Sequence, residues 1–238
     1  MALTDRKAMT FDVVGTLIDF ETGILDYVQA RAKDAGVSLT GQAILEAYAV
    51  AEDHQHHETP RLPFPSMMAP MYHEMAEVLG LPDVHDHAEE FRLSIPHWLA
   101  FPDAVAALKR LRKRFYLVAM TNSDNWALSH FAHTLELPFD DLVTAEMVGW
   151  NKPDPQVFAF TRGRLSKEGY GFGDILHVAQ SQYHDIAVAR KLGYHTCWIE
   201  RRKGKSGAGA TPGVQSVAIP DYHFGSPVEL ADAVDAGK

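Results

Sequence analysis

"FDVVGTLIDF", residues 11–20, sets one carboxylate, Asp12, inside an apolar run that breaks at Gly15-Thr16 and then turns apolar again. A charge at the inner end of a buried strand is expensive, so this acid needs a reason to be there. Val14, two residues on, can neither give nor take a proton. Outward from this stretch, apolar runs of strand length recur at 9–14, 115–121, 141–145, 175–180 and 195–200. None alternates in the way of a half-exposed sheet, which is the pattern of parallel strands covered on both faces.

From residue 101 onward each run alternates with a helical pattern. Pro102 opens one helix, with Val105, Leu108 and Leu111 as its apolar stripe and Arg110, Arg112, Lys113 and Arg114 crowding its last turn. Asp154-Pro155 is an N-cap followed by proline at the first helical position. A third helix runs from about Asp185 to Leu192 and stops at Gly193. This alternation predicts an α/β fold: a doubly wound, Rossmann-like parallel sheet core.

Residues 19–99 do not share that rhythm. They are helical by pattern ("ILDYVQARAKDAG", "AILEAYAVAED", "MYHEMAEVLG"), punctuated by "TPRLPFPSMMAP", with no strand candidate. The reading is a core of residues 1–18 and 100–238, with 19–99 inserted after the first strand as a helical cap. Such a cap would lie over the carboxyl ends of the strands, where open α/β sheets bind ligands.

The 238 residues carry 22 Lys and Arg against 31 Asp and Glu, a formal charge of −9. That balance argues against nucleic acid or an anionic membrane as partner, since both require a basic footprint. Cys197 is the single cysteine, so no internal disulfide can form, and a reducing, cytoplasmic setting is expected. "MALTDRKAMT" has no apolar signal region, and no stretch approaches the ~18 apolar residues of a membrane span. "RRKGKSGAGATPG" (201–213) contains Gly204-Lys205-Ser206, a fragment of a phosphate loop. The glycine that loop requires five residues earlier is Ile199, so the segment is read as a flexible loop.

Polar residues close the runs in four places: Asp12 with Gly15-Thr16, Thr121-Asn122-Ser123, Lys152 before Pro153-Asp154-Pro155, and Asp185 after "AQSQYH". Each alone is equally a turn or a helix cap. In a parallel sheet, however, all four lie on one edge and can converge. A carboxylate there can attack an electrophilic carbon and form an ester that water then cleaves, provided an ammonium keeps it ionised.

In order and spacing these four segments resemble the haloacid dehalogenase superfamily. "FDVVGTLID", "TNSD", "KPDPQVF" and "QSQYHDIAVARKLGYHTCWIERR" are most similar to its L-2-haloacid dehalogenase (type II) branch, and to the branch member that hydrolyses azetidine-2-carboxylate. The resemblance implies that Asp12 is the nucleophile, that Lys152 neutralises carboxylate charge, and that Asp185 positions Lys152 or the hydrolytic water. It implies that Thr16 supports the nucleophile loop and that Thr121 and Asn122 bind substrate, with Thr16 itself, Val14, Gln180, Gln182 and His184 completing the substrate-binding set. It further implies a small carboxylate substrate, no metal, no other cofactor, and a homodimer.

Phosphatases of the superfamily place an acid two residues after the nucleophile and a metal-binding acid four before the last motif aspartate. Here those positions hold Val14 and Ser181, which argues for a halide or another non-phosphoryl leaving group. Type II dehalogenases usually have Tyr at the position of Val14, Ser and Asn at those of Gln180 and Gln182, and a halide-binding Arg in the cap. "ILEAYAVAEDHQHHETP" contains no Arg before Arg61. A ring nitrogen as leaving group would instead need a proton donor, such as His184 or a cap histidine. His54, His56 and His57 lack the one-face spacing of a helical metal site, and are read as a solvated helix end or as pocket lining. His85 and His87 are read as surface loop residues, and Trp98, Trp126 and Trp150 as core or hinge packing ahead of pocket lining.

Overall fold

The chain is described by a computed structural model over residues 2–205, 207 and 209–237. Ser206, in the rejected phosphate-loop fragment, lies outside the described residues. Six strands build one parallel sheet: β1 (Ala8–Phe11), β2 (Tyr116–Thr121), β3 (Asp141–Thr144), β4 (Ile175–Ala179), β5 (His195–Ile199) and β6 (Tyr222–Phe224). Their order is β3-β2-β1-β4-β5-β6, so the direction of winding reverses between β1 and β4. Open α/β sheets bind ligands outside the strand ends at that switch point, and Asp12 follows β1 directly.

The first strand ends three residues earlier than its apolar run. Leu17 and Ile18 both donate to the Val13 carbonyl, and Gly15 donates to Ile18, so the chain curls into a tight turn at Val14. Gly15 has φ +88°, a conformation that glycine reaches without strain. The sequence pattern missed β6. It is three residues long at the sheet edge, and its half-exposed burial carries no apolar run.

Helices α1 (Phe20–Asp34), α2 (Gly41–Glu58), α3 (Phe64–Leu79) and α4 (His85–Leu93) form the insert. The proline-rich punctuation is partly helical: α3 starts at Phe64 with Pro65 in its first turn, where a missing N–H is harmless. His85 and His87 belong to α4 and not to a loop, and Tyr27 donates to the His87 carbonyl at 2.6 Å. Tyr27, Tyr48, Tyr72 and Phe91 pack edge-on or tilted inside the insert. The chain enters and leaves it side by side, with Asp19 donating to Leu99 and Phe101 to Leu17.

At that junction Gly23 lies against Trp98, and a Cβ there would fall inside van der Waals contact of the indole. Trp98 is buried between Phe64 and Phe131 and cannot yield. Gly23→Ala is therefore expected to destabilise the fold by about 1–3 kcal/mol despite alanine's better helix propensity. Urea unfolding would measure this, and an unchanged midpoint would count against the packing at this junction.

The remaining helices are α5 (Ala104–Leu111), α6 (Asn125–Thr134), α7 (Ala145–Val148), α8 (Pro155–Lys167), α9 (Ala187–Lys191) and α10 (Pro227–Asp235). Strand side chains alternate between two cores. Met9, Phe11, Leu117, Ala119, Leu176 and Val178 share one with α5, α6 and α10, while Ala8, Val118, Met120 and Ile175 share the other with α8 and α9. Helix α5 starts at Ala104, two residues after Pro102, and Arg112, Lys113 and Arg114 lie beyond its end. Asp154 caps α8 by accepting from the Gln156 N–H at 2.8 Å. The helix expected over 185–192 begins earlier, as a π-helical turn over Gln182–Ile186 that leads into α9. Among the described residues no helix is long and apolar enough to cross a membrane.

Candidate active site

The carboxyl edge of the sheet brings residues 12, 121–123, 152, 180, 181, 184 and 185 together beneath α2 and α3, around one small cleft. Lys152 is 1% exposed. Its Nζ donates to Asp12 Oδ1 at 2.9 Å and to Asp185 Oδ1 at 2.7 Å, which puts one ammonium between two carboxylates. Thr16 donates to Asp12 Oδ2 at 2.6 Å and accepts from the Gln180 N–H at 2.8 Å, pinning the Asp12 loop to the end of β4. Arg201 forks onto the Thr16 carbonyl at 2.8 and 3.0 Å and onto Asp103, anchoring the same loop from β5. Thr16 does not line the cleft; its hydroxyl is committed to Asp12, which corrects its place among substrate-binding residues.

His177, in the middle of β4, was not anticipated from sequence. It is the register partner of Thr10 on β1, so both side chains lie on the same face. Thr10 Oγ1 is 2.8 Å from His177 Nδ1, and His177 Nε2 is 2.9 Å from Asp185 Oδ1. A histidine interrupting "ILHVA" was the available signal. Burial alone would raise the Asp185 carboxyl, but the Lys152 charge and the His177 hydrogen bond outweigh it and hold Asp185 down to about 2. Asp12 moves the other way: burial raises its carboxyl and Asp185 adds to this, against the pull of Lys152 and Thr16. Burial works against the Lys152 ammonium, but the two flanking carboxylates more than offset it and raise its pKa.

The π-helical turn positions the last pair. Ile186 donates to the Ser181 carbonyl and His184 N–H donates to Ser181 Oγ at 2.9 Å. This wider turn lets adjacent residues serve different places: Asp185 is fully buried against Lys152, while His184 faces the cleft. His184 Nδ1 is 3.3 Å from Ser181 Oγ, and neither His184 Nε2 nor Asp185 Oδ2 has a partner among the described residues. Burial, then His56, push His184 well below the usual histidine range.

Val14, Thr121, Asn122 and Gln180 also line the cleft. Asn122, however, spends its amide on Lys152, accepting from its N–H at 2.6 Å and donating to its carbonyl at 2.9 Å; it positions the lysine more than it meets a substrate. Gln182 is displaced altogether. Its amide brackets the backbone of Ala218, accepting from its N–H at 3.0 Å, outside the cleft. The turn that aims His184 inward directs Gln182 toward the 201–218 loop. That loop is tied to the insert by Arg202 and Ala210, both bonded to Glu21, and lends Thr211 to the cleft.

The insert contributes Phe20, Phe64, Glu52 and His56. Glu52 was missed, although Tyr48, Glu52 and His56 sit at four-residue spacing on one helical face. Of His54, His56 and His57, His56 lines the cleft; His54 bonds to Glu74 and His57 to the Asp53 carbonyl at the surface. Among the described residues no three His, Cys, Asp or Glu side chains are grouped to hold a metal. Trp98, Trp126 and Trp150 do not line this cleft; Arg92 lies over Trp126 and Arg61 over Trp150. Cys197 is buried, which pushes its thiol up and leaves it inert.

Sheet order, insert and edge cluster are those of a capped α/β hydrolase. Residues 6–193 match the haloacid dehalogenase-like hydrolase family, and the chain belongs to it. It is 24% identical over 204 residues to (S)-2-haloacid dehalogenase 4A of Burkholderia cepacia, covering 82% of this chain and 84% of that one. The L-2-haloacid dehalogenase from Xanthobacter autotrophicus with chloropropionic acid covalently bound has TM-score 0.77 at 16% identity, covering 98% of this chain and all of that one. A putative HAD-hydrolase from Bacillus subtilis bound to magnesium has TM-score 0.77 at 17% identity, covering 97% and 99%. The fold is thus equally like a dehalogenase and a magnesium-binding relative, and the choice of chemistry rests on side chains.

Proposed function

We propose that this hydrolase acts on a small 2-substituted carboxylate by direct attack of Asp12 on carbon, with carbon–halide cleavage as the leading reaction. The observation that carries the reading is the Asp12–Lys152–Asp185 cluster. Lys152 supplies the counter-charge to both carboxylates, which favours chemistry without a metal. Val14 has no proton to give, as a phosphate-ester leaving group would require. The similarity to (S)-2-haloacid dehalogenase 4A supports the same reading.

Thr16 holds Asp12 Oδ2, and Lys152 disperses charge from Oδ1, so Asp12 is oriented before substrate arrives. Displacement forms an ester at Asp12 and releases halide, which takes no proton. Water then adds at the Asp12 carboxyl carbon. Asp185, held to about 2, is too weak a base for this and serves to fix Lys152. His184 offers an unpartnered Nε2 beside the cleft and is the group placed to receive a water proton. The hydroxyls of Thr121 and Ser123 stand at the end of β2 for the substrate carboxylate. A second reading, carbon–nitrogen cleavage, is favoured by the lack of any cleft-lining arginine among the described residues.

Single turnover of L-2-chloropropionate in heavy-oxygen water tests the reading. One labelled oxygen is expected in the Asp12 carboxylate, with halide release abolished in Asp12→Asn and unaffected by chelator. Label found only in the product, or turnover of phosphate esters with magnesium, would overturn it.

A further inference from the structure

Glu52 takes no part in the chemistry above, yet it lines the cleft with Asp12. It is only 9% exposed, and its carboxyl makes no hydrogen bond or ion pair to any described residue. A buried carboxylate without a partner is costly, so the group is better kept neutral. Burial, the charge of Asp12 and then that of Asp53 push its carboxyl up to about 8, so at neutral pH it carries a proton. Other titratable groups around it come from both sides of the cleft: Tyr48, Asp53 and His56 on α2, and Asp12, Lys152, Tyr183 and His184 on the core.

His56, one helical turn on, is also neutral. Burial holds it down to about 4 despite Asp53, and its ring lies 4.9 Å from that of His184. Arg61, the first arginine after this helix, is turned away to the Gly149 carbonyl and the face of Trp150. Among the described residues, the cap side of the cleft therefore offers neutral, proton-bearing groups and no cation. A departing halide finds little to hold its charge there, whereas a departing nitrogen or oxygen finds an acid.

We propose that Glu52 is a catalytic acid that protonates a nitrogen or oxygen leaving group on the carbon attacked by Asp12, so that the cleft opens 2-amino or 2-oxy carboxylates whose leaving atom needs a proton. The proposal rests on the Asp12 reading and extends it. An Asp12 oxygen forms a bond to carbon 2, the carbon–heteroatom bond breaks, and its electron pair stays on the heteroatom, which takes the Glu52 proton. That proton lies between Glu52 and the heteroatom at the transition state, whichever holds it beforehand. Water then cleaves the Asp12 ester: one of its protons goes to the 2-hydroxy product, and the other is taken by His184 and released to solvent, from which Glu52 regains its own proton. No oxidant, metal or co-reactant is required.

The test compares wild type, Glu52→Gln and Glu52→Asp on L-azetidine-2-carboxylate, oxirane-2-carboxylate and L-2-chloropropionate, with the fate of labelled water oxygen followed at Asp12. Ring opening by wild type is expected to fall by about 10²- to 10⁴-fold in Glu52→Gln, with partial rescue in Glu52→Asp. The loss on L-2-chloropropionate should be at least about tenfold smaller, because halide takes no proton. Formation of the Asp12 ester should slow while its hydrolysis does not. Ring opening that survives Glu52→Gln within about threefold overturns the acid role, and so does a wild type that labels Asp12 with the haloacid but opens neither ring. Either result leaves the Asp12 reading standing. Absence of label at Asp12 with every substrate removes both.

Discussion

Lys152→Met is expected to abolish turnover, by about a thousandfold or more, and to destabilise the fold by about 3–5 kcal/mol. Both effects follow from one geometry. The ammonium is buried within 2.9 Å of Asp12 and 2.7 Å of Asp185, and methionine fills its volume without its charge. Two buried carboxylates then face each other unpaired, and repulsion drives one to take a proton. Asp185 keeps its His177 bond, so the proton goes to Asp12, the group on which the proposed attack depends. The pH at which activity appears should rise accordingly. Lys152→Met with Asp185→Asn separates the two effects: stability should partly return once the unpaired charge is gone, while activity should not. Full activity in either variant would show that Lys152 does not govern Asp12.

Glu52→Gln is expected to stabilise the protein, and increasingly so as pH rises. The sign follows from proton binding. Folding raises the Glu52 carboxyl from an ordinary 4.5 to about 8, so between those values the folded chain holds a proton that the unfolded chain has released. Stability therefore declines as pH climbs through that window. Glutamine cannot ionise and escapes the decline. Near pH 4 the two proteins should be nearly equal, whereas above pH 8 the variant should be the more stable by about 4–5 kcal/mol. Urea titrations at pH 4.5 and pH 8.5 read the difference directly. The same gap at both values would mean that Glu52 is not held neutral by its surroundings. An acid that costs stability at neutral pH and is still in place fits a group kept for chemistry.

Much of this was readable from spacing. Apolar runs without alternation implied a parallel sheet, and a parallel sheet puts every strand's carboxyl end on one edge. Asp12, Lys152 and Asp185 follow from that, although 140 residues separate the first two. The absence of strand patterns over 19–99 likewise implied a helical insert. What escaped was short or masked. Strand β6 is three residues long at an exposed edge, and the π-helical turn has no period of its own to detect.

Side-chain commitments were out of reach for another reason. Asn122, Gln182 and Thr16 are polar residues near strand ends, and composition alone cannot say whether such a residue faces a substrate or a neighbouring backbone. The structure directs Asn122 to Lys152, Gln182 to Ala218 and Thr16 to Asp12.

By itself, the amino-acid order determined which edge of the sheet would carry the acids and the lysine, because strand direction and length follow from local apolar runs. Only the tertiary structure decided which groups meet there. Inter-strand register pairs Thr10 with His177, and the packing of α2 over the core brings Glu52 into the cleft of Asp12. Both depend on contacts between segments distant in the chain, where no repeat or spacing in either segment records the other's position.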